Sequence, residues 1–382
     1  MEKKYIMTNI TKEVDGRTLH RIVAIKSFAY FEDRDVNQGD LGGWIEKEEN
    51  LSHEGDCWVY DEAMVMDNSY ICESSKIEDN VIIKGNSVIR GEIIIANDVV
   101  IDGNIYIRTS GEISGNAKLF GNIKIYRGND KNSKLYDKYD EIKINGRALL
   151  DGNIQIYGNV HICDNVKLMG DIWLDALYDY EEDIYRRIYI HGRSEVFGSV
   201  EICGDVEIAD RAKVEGNVCI KGQVTICEDA YICGNCDQDI EILGSQISIS
   251  GASSIYNSVM IEGGDICIKD NAIIKDVAKI FSSTEIGDDA VIGQNAQVQT
   301  VTLGREAYIM DKKDILCIKN VSKELSNVIF YRANNQNIYV KFYQFNNSIN
   351  IFENKVRNSK MNNNKINLYL AAIQLAKEYF KI

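Results

Sequence analysis

An apolar residue recurs at every sixth position from Val59 to Ile125, twelve times without a break. A turn dipeptide such as Gly85-Asn86 often follows, and then a small or β-branched residue. A period of six matches neither the 3.6-residue period of a helix nor the two-residue period of a long strand. It is typical of a short strand and a turn, repeated around a triangular coil of about 18 residues. The sequence therefore predicts a mainly β fold built as a parallel β-helix.

The same period resumes at Ile144 and again at Ile190 after two interruptions. We therefore predict a solenoid over residues 59–318, of about twelve coils that each pack on their neighbours, with loop insertions at 126–143 and 175–189. The chain contains no proline. This favours the same fold, because continuous parallel ladders need every backbone N–H group.

Residues 1–58 do not follow the six-residue period and predict a β-hairpin cap. Two alternating stretches flank Asp15-Gly16, a sequence typical of a two-residue hairpin turn. A Gly-rich turn then leads to Trp44, which we expect near the first coil. Solenoids expose unpaired strand edges at both ends, and a cap of this kind covers one of them.

The cap sequence resembles that of the YdcK-type hexapeptide-repeat proteins of bacteria, phages and prophages. The resemblance lies in Gly42-Gly43-Trp44, Asn50-Leu51-Ser52 and the run from Gly55 through Cys57-Trp58-Val59 to Asp61. It implies a left-handed β-helix and a side-by-side dimer or trimer. The family carries a transferase label because acyltransferases share its fold, and that label is an analogy of fold.

Residues 319–382 change character and predict a small α+β domain with the order ββαα. Strands are expected at 327–332 and 338–345, followed by a helix capped by Ser348 and a final amphipathic helix. The segment resembles the C-terminal domain of phage hexapeptide-repeat proteins. Arg332 lies among several aromatic residues, a pattern that fits either a base-stacking platform or an ordinary domain core.

Charge is distributed unequally along the chain. The net charge is −15, whereas residues 319–382 carry ten Lys or Arg residues against three Asp or Glu. The acidic remainder should repel nucleic acid and anionic membranes, while the basic segment could contact a phosphate-bearing partner. No secretory signal or membrane-spanning run is present, and ten scattered cysteines suggest reduced thiols. We expect a cytoplasmic protein, in the host cell if a phage encodes it.

The two loop insertions are separated by two whole coils and should leave the solenoid at one corner. His161 and Cys163 lie between them and flank an inward Ile162, so both side chains should point outward. The coils on either side add Lys143, Tyr189 and His191 to this face. Further residues expected to bind a ligand or partner here are Tyr157, Tyr178 and Tyr180.

This face permits three interpretations. His161 or His191 could act as a general base in acyl transfer. Together with Cys163 and a loop carboxylate, the two histidines could instead bind zinc. The third interpretation is a solvated polar surface below two loops. A second motif, Cys233-Gly-Asn-Cys236, should not bind metal, because its two side chains point in opposite directions.

We therefore predict a non-enzymatic scaffold of the phage or prophage type that binds a protein partner or small ligand. Its loop corner or C-terminal domain would provide the contact, with no cofactor and no metal. The first alternative is an acyltransferase that uses acyl-CoA, and the second is an acidic nucleic-acid mimic or another protein that counters host defences. Outward columns of mixed charge disfavour mimicry of nucleic acid.

Overall fold

The computed structural model describes residues 2–28, 35–126, 141–176, 186–235, 239–321 and 327–382. The chain divides into two compact units, Met1–Arg211 and Ala212–Ile382. The predicted β-solenoid is confirmed. It has about 13 turns, and the chain ends in a small antiparallel sheet and two helices. No helix among the described residues is long and apolar enough to cross a membrane.

The first unit begins with a cap of three strands. Strands β1 (Tyr5–Val14) and β2 (Arg17–Ala24) form the predicted antiparallel hairpin. Strand β3 (Leu41–Ile45) pairs antiparallel with β2 and parallel with a solenoid strand, so it joins the cap to the first coil. Trp44 is buried there, and its Nε1 donates a 2.9 Å hydrogen bond to Glu62.

Short parallel strands follow, each hydrogen-bonded to the strand one coil away. Their inward aliphatic residues are fully buried, as the six-residue period predicts. The strands of this unit are β4 (Trp58–Val59), β5 (Met64–Val65), β6 (Tyr70–Ile71), β7 (Lys76–Ile77), β8 (Ile82–Gly85), β9 (Val88–Arg90), β10 (Ile93–Ile95), β11 (Val100–Arg108), β12 (Gly111–Ile113), β13 (Lys118–Tyr126), β14 (Ile142–Ile144), β15 (Leu149–Gly158), β16 (Val160–Ile162), β17 (Lys167–Ala176), β18 (Ile188–Ile190), β19 (Glu195–Cys203) and β20 (Val206–Ile208).

The second unit contains further coils of the same kind. They extend past Val298, where the six-residue pattern ends, because Leu303 and Ile309 occupy two more buried inward positions. Its solenoid strands are β21 (Lys213–Ile226), β22 (Tyr231–Gly234), β23 (Ile240–Ile249), β24 (Ser254–Asn257), β25 (Met260–Glu262), β26 (Ile266–Ile268), β27 (Ile273–Ile274), β28 (Lys279–Phe281), β29 (Thr284–Ile286), β30 (Val291–Ile292), β31 (Gln297–Val298), β32 (Thr302–Leu303) and β33 (Tyr308–Ile309).

The C-terminal module is a small α+β unit, as expected, but its sheet has four strands and not two. Its antiparallel sheet comprises β34 (Ile315–Ile318), β35 (Val328–Arg332), β36 (Ile338–Phe342) and β37 (Phe345–Ser348). A two-residue turn at Tyr343-Gln344 divides the single strand expected over 338–345. Helices α1 (Ile349–Arg357) and α2 (Asn363–Phe380) follow. Ser348 is the N-cap residue of α1, but its side chain makes no capping hydrogen bond.

Carboxylates at the solenoid corners connect one coil to the next. Asp67, Asp164 and Asp270 have left-handed backbones, and each side chain accepts a 3.0 Å hydrogen bond from a backbone N–H one coil further on. Burial would raise the pKa of Asp67, but this bond and the Arg17 guanidinium at 2.6 Å hold it below its usual value. Some of the acidic side chains of the solenoid therefore stabilise the stacking of its coils.

Candidate functional site

The outward column predicted from the period is present in the first unit. Lys143 pairs with His161, His161 with Tyr189, and Tyr189 with Glu207 across consecutive parallel strands. Glu112 precedes Lys143 in the same register. Neighbouring strands lie about 4.8 Å apart, so these side chains form one continuous surface. We call these five residues the central column.

Cys163 and His191 lie two residues beyond His161 and Tyr189, in a second outward column. The backbone N–H of Cys163 donates a 3.0 Å hydrogen bond to the carbonyl of Ile190, which places Cys163 beside His191. The Cys163 thiol also lies 3.5 Å from the Tyr189 hydroxyl. The two columns therefore meet through side chains, and they form a single polar face in this unit.

His191 is fixed within this face by two neighbours. Its ring stacks on Tyr189 with centroids 4.3 Å apart and an interplanar angle of 22°. Its Nε2 donates a 3.0 Å hydrogen bond to Glu207, and the two groups form an ion pair when the imidazole is protonated. Because Nε2 is bonded to Glu207, only Nδ1 of His191 could accept a proton from an incoming group.

His161 has a different environment. Its ring meets Tyr189 edge to face at 6.2 Å, and neither nitrogen hydrogen-bonds to another described residue. Burial lowers the pKa of His161, and the nearby cations Lys143 and Arg187 lower it further, against the opposing effect of Glu141. The imidazole is therefore mainly neutral at pH 7, and no described residue occupies its hydrogen-bonding nitrogens.

The thiol and the phenol of this face stay protonated at neutral pH. Burial raises the pKa of Cys163. The hydrogen bond between Tyr189 and that thiol, together with burial, raises the pKa of Tyr189 to about 12. A cysteine nucleophile needs a lowered pKa, which is the opposite of the shift here. The face can therefore form neutral hydrogen bonds and contacts with rings, but it offers no thiolate.

The described part of the chain contains no set of residues that could bind zinc. No group of three or more His, Cys, Asp or Glu side chains there could hold a metal ion. Cys163 is directed at Tyr189, and His191 at Glu207, so the nearest candidates do not converge. Cys233 of the second motif is half-buried, and its partner Cys236 lies outside the described residues. Tyr178 and Tyr180, which were expected on the loop, also lie outside them.

The remaining predicted residues of the first unit have partners of their own. Lys143 forms a 2.9 Å ion pair with Glu141 on the surface. The hydroxyl of Tyr157 donates a 2.8 Å hydrogen bond to Gln155, and burial raises the pKa of this phenol. Its ring stacks almost parallel on Tyr126, with centroids 5.5 Å apart.

Tyr157 also belongs to an outward stripe of aromatic side chains that sequence reasoning missed. Tyr106 and Tyr126 lie 5.3 Å apart, and Tyr157 lies 4.9 Å from Trp173, measured between ring centroids. Trp173 is 39% exposed. The signal was present in the sequence, since each ring occupies an outward position beside an inward aliphatic residue in β11, β13, β15 or β17. We call these four residues the aromatic stripe.

Arg332 is held inside the C-terminal module. Its Nε donates a 3.0 Å hydrogen bond to Asp314, and the guanidinium lies 5.7 Å from the centroid of Phe380. The adjacent Tyr331 is fully buried, and its hydroxyl donates a 3.2 Å hydrogen bond to the carbonyl of Gly304. These two residues therefore serve as packing and anchoring groups, which fits the domain-core interpretation better than a base-stacking platform.

Similarity to a known protein covers a short segment of the chain. No protein-family model matches the chain. A stretch of 47 residues is 43% identical to the "Uncharacterized acetyltransferase YdcK" of Escherichia coli (strain K12). The match covers 12% of this chain and 13% of that protein. Together with the β-solenoid, it fits a hexapeptide-repeat protein.

Proposed function

We propose that this protein is a non-enzymatic β-solenoid scaffold of the phage or prophage type. It would bind a protein partner or a small ligand through the face formed by the central column, Cys163 and His191. The observation that carries the proposal is the pairing within this face. His191 is bonded to Glu207, Lys143 to Glu141, and the Cys163 thiol to Tyr189. Groups fixed in this way present a preformed pattern of charges, donors and rings.

Catalysis by the same groups would make different demands on the two histidines. A general base works best when a third group orients it, as a carboxylate orients histidine in many hydrolases. Glu207 orients His191 through Nε2 and leaves Nδ1, while the Tyr189 ring stacks on that imidazole. His161, whose nitrogens bond no other described residue, has no orienting carboxylate among those residues. Proton transfer would therefore use His191 with Glu207, whereas binding would use the whole fixed face.

Site-directed photocrosslinking tests the proposal. The photoreactive residue p-benzoylphenylalanine would replace Tyr189 in the central column and, as a control, Tyr70, which is 37% exposed elsewhere in the same unit. In an extract of the organism that encodes the protein, irradiation should give a discrete adduct from position 189 and none from position 70. Excess unmodified protein should compete for this adduct, and a Lys143→Ala, His161→Ala double variant should compete at least tenfold less well.

Two results would contradict the proposal. Equal labelling from both positions would mean that the face has no preferred partner. Undiminished competition by the double variant would mean that the two residues do not contribute to binding.

Acyl transfer from acyl-CoA remains a second candidate function for one specific reason. A relative over a short segment has a name that includes acetyltransferase, and neutral His161 could accept a proton from a bound hydroxyl or amine. This function predicts that acetyl-CoA raises the melting temperature, and that His161→Ala removes the effect. An unchanged melting temperature at millimolar acetyl-CoA would exclude acetyl-CoA as the ligand of this face.

A further inference from the structure

The C-terminal module contains a cavity of about 320 Å³ that neither column of the first unit involves. Its walls come from the Tyr343-Gln344 turn, helix α1 and the start of helix α2. Besides Tyr343 in the turn, four aromatic rings line it: Phe342, Phe345, Phe352 and Tyr369. This volume is at the lower end of the range of roughly 300–1,000 Å³ found for small-molecule sites.

The rings form a connected box. Phe342 lies 5.1 Å from Tyr369 and 5.7 Å from Phe352, measured between ring centroids, and Phe345 lies 5.1 Å from Phe352. Phe352 and Tyr369 are each 3% exposed and belong to the core of the module, whereas Phe342 and Phe345 are half-buried. Two walls are therefore anchored in the core, and two remain accessible to a ligand.

A lysine lies at the mouth of this box. Lys355 lines the cavity with an exposed side chain, and its Nζ lies 5.1 Å from the centroid of Phe345. Among the described residues it forms no ion pair, because Glu353, two residues earlier in α1, already pairs with Arg357 and Lys377. None of the described residues that line the cavity is acidic, and residues 319–382 are strongly basic. The local charge therefore favours an anion.

The turn that forms one rim of the cavity is unusual. Tyr343 has a left-handed backbone with φ of +50° and a side chain that is 66% exposed. Glycine or asparagine normally occupies such positions, because a bulky side chain is strained there. Strained residues of this kind cluster at ligand sites. The exposed ring meets Phe342 edge to face at 4.7 Å, so it extends the apolar wall outward.

We propose that this cavity binds a small amphipathic anion, with an aromatic or branched apolar body and one carboxylate. The apolar body would lie against the four rings, and the carboxylate would pair with Lys355. Aromatic boxes often bind quaternary ammonium groups instead. Here the lysine cation repels such a ligand and selects the opposite charge. This site is independent of the face in the first unit, so either assignment can fail without the other.

Calorimetric titration of the full chain with three matched probes tests this site. The probes are 2-naphthoate, neutral 2-naphthamide and cationic 2-naphthylmethylammonium. We expect the anion to bind most tightly and the cation least. Lys355→Gln should weaken 2-naphthoate about fivefold, as expected for one exposed ion pair, and leave the amide unchanged. The control Lys360→Gln, an exposed lysine outside the cavity lining, should leave the binding of all three probes unchanged.

A second variant tests the apolar wall separately. Tyr343→Gly removes the exposed ring and relieves the left-handed strain, so the module should stay folded while all three probes bind more weakly. Failure of 2-naphthoate to bind the unmodified protein would overturn the proposal. Equal losses from Lys355→Gln and Lys360→Gln would also overturn it, because the effect would then be one of net charge.

Discussion

Substitution of Gly152 by alanine should destabilise the solenoid strongly. Gly152 lies in a column of glycines, paired with Gly121 on one side and Gly170 on the other. Its φ is +134°, and a Cβ atom added there would lie 2.5 Å from the carbonyl oxygen and 2.7 Å from the nitrogen of Gly170. Both contacts are with backbone atoms, so no side-chain rotation can relieve them.

Two effects contribute to the loss in the free energy of unfolding of Gly152→Ala. A non-glycine residue in this backbone region costs about 1–3 kcal/mol, and overpacking costs about 1–3 kcal/mol more. The loss in the free energy of unfolding should therefore be about 2–6 kcal/mol. Gly16 is the matched control, since its φ is +76° and a Cβ atom added there would meet nothing within 4 Å. Gly16→Ala should cost only about 1–2 kcal/mol, the left-handed backbone penalty alone.

Urea unfolding of both variants measures this difference. Hydrogen exchange adds a local readout, because each coil of a solenoid depends mainly on its neighbours. Faster exchange should be confined to β13, β15 and β17 in Gly152→Ala, and to the cap hairpin in Gly16→Ala. Equal destabilisation by the two substitutions would refute the steric argument and leave backbone conformation as the only cause.

Three further predictions concern single side chains. The pKa of Asp67 is lowered in the folded state. Its stabilising contribution is therefore present above the ordinary pKa of about 3.9, and it is lost as the pH falls through the folded-state pKa. Asp67→Asn should remove this part of the acid sensitivity, as measured by urea unfolding at several pH values. Tyr331→Phe should lower the free energy of unfolding by about 1 kcal/mol, because the hydroxyl loses its partners Gly304 and Asn346, whereas Tyr339→Phe should have little effect. In a histidine NMR titration, His161 should show a pKa below the ordinary 6.5.

The solenoid could be predicted from its sequence because an inward residue at every sixth position fixes both period and register. The central column follows from that register, so Lys143, His161 and Tyr189 could be placed on one face from their distance to buried isoleucines. The extra turn beyond Val298 was missed because Leu303 follows after only five residues, and a fixed period of six does not detect it.

Interactions within the face could not be predicted in the same way. Register places Tyr189 and His191 two residues apart, but the side-chain torsions decide that their rings stack and that Glu207 accepts a hydrogen bond from the imidazole. The C-terminal module shows a similar limit. Phe345-Asn346-Asn347-Ser348 has the composition of a loop, and it forms a strand because neighbouring backbone groups complete its hydrogen bonds.

The histidine side-chain NMR spectrum of the full chain, recorded with and without acetyl-CoA, tests the central claim most directly. The claim is that the face around His161 is a binding surface and not an acyl-CoA site. It predicts that millimolar acetyl-CoA leaves the His161 and His191 resonances unchanged. A saturable shift of the His161 resonance, absent from His20 and His53 in the cap, would contradict it and favour the acyltransferase.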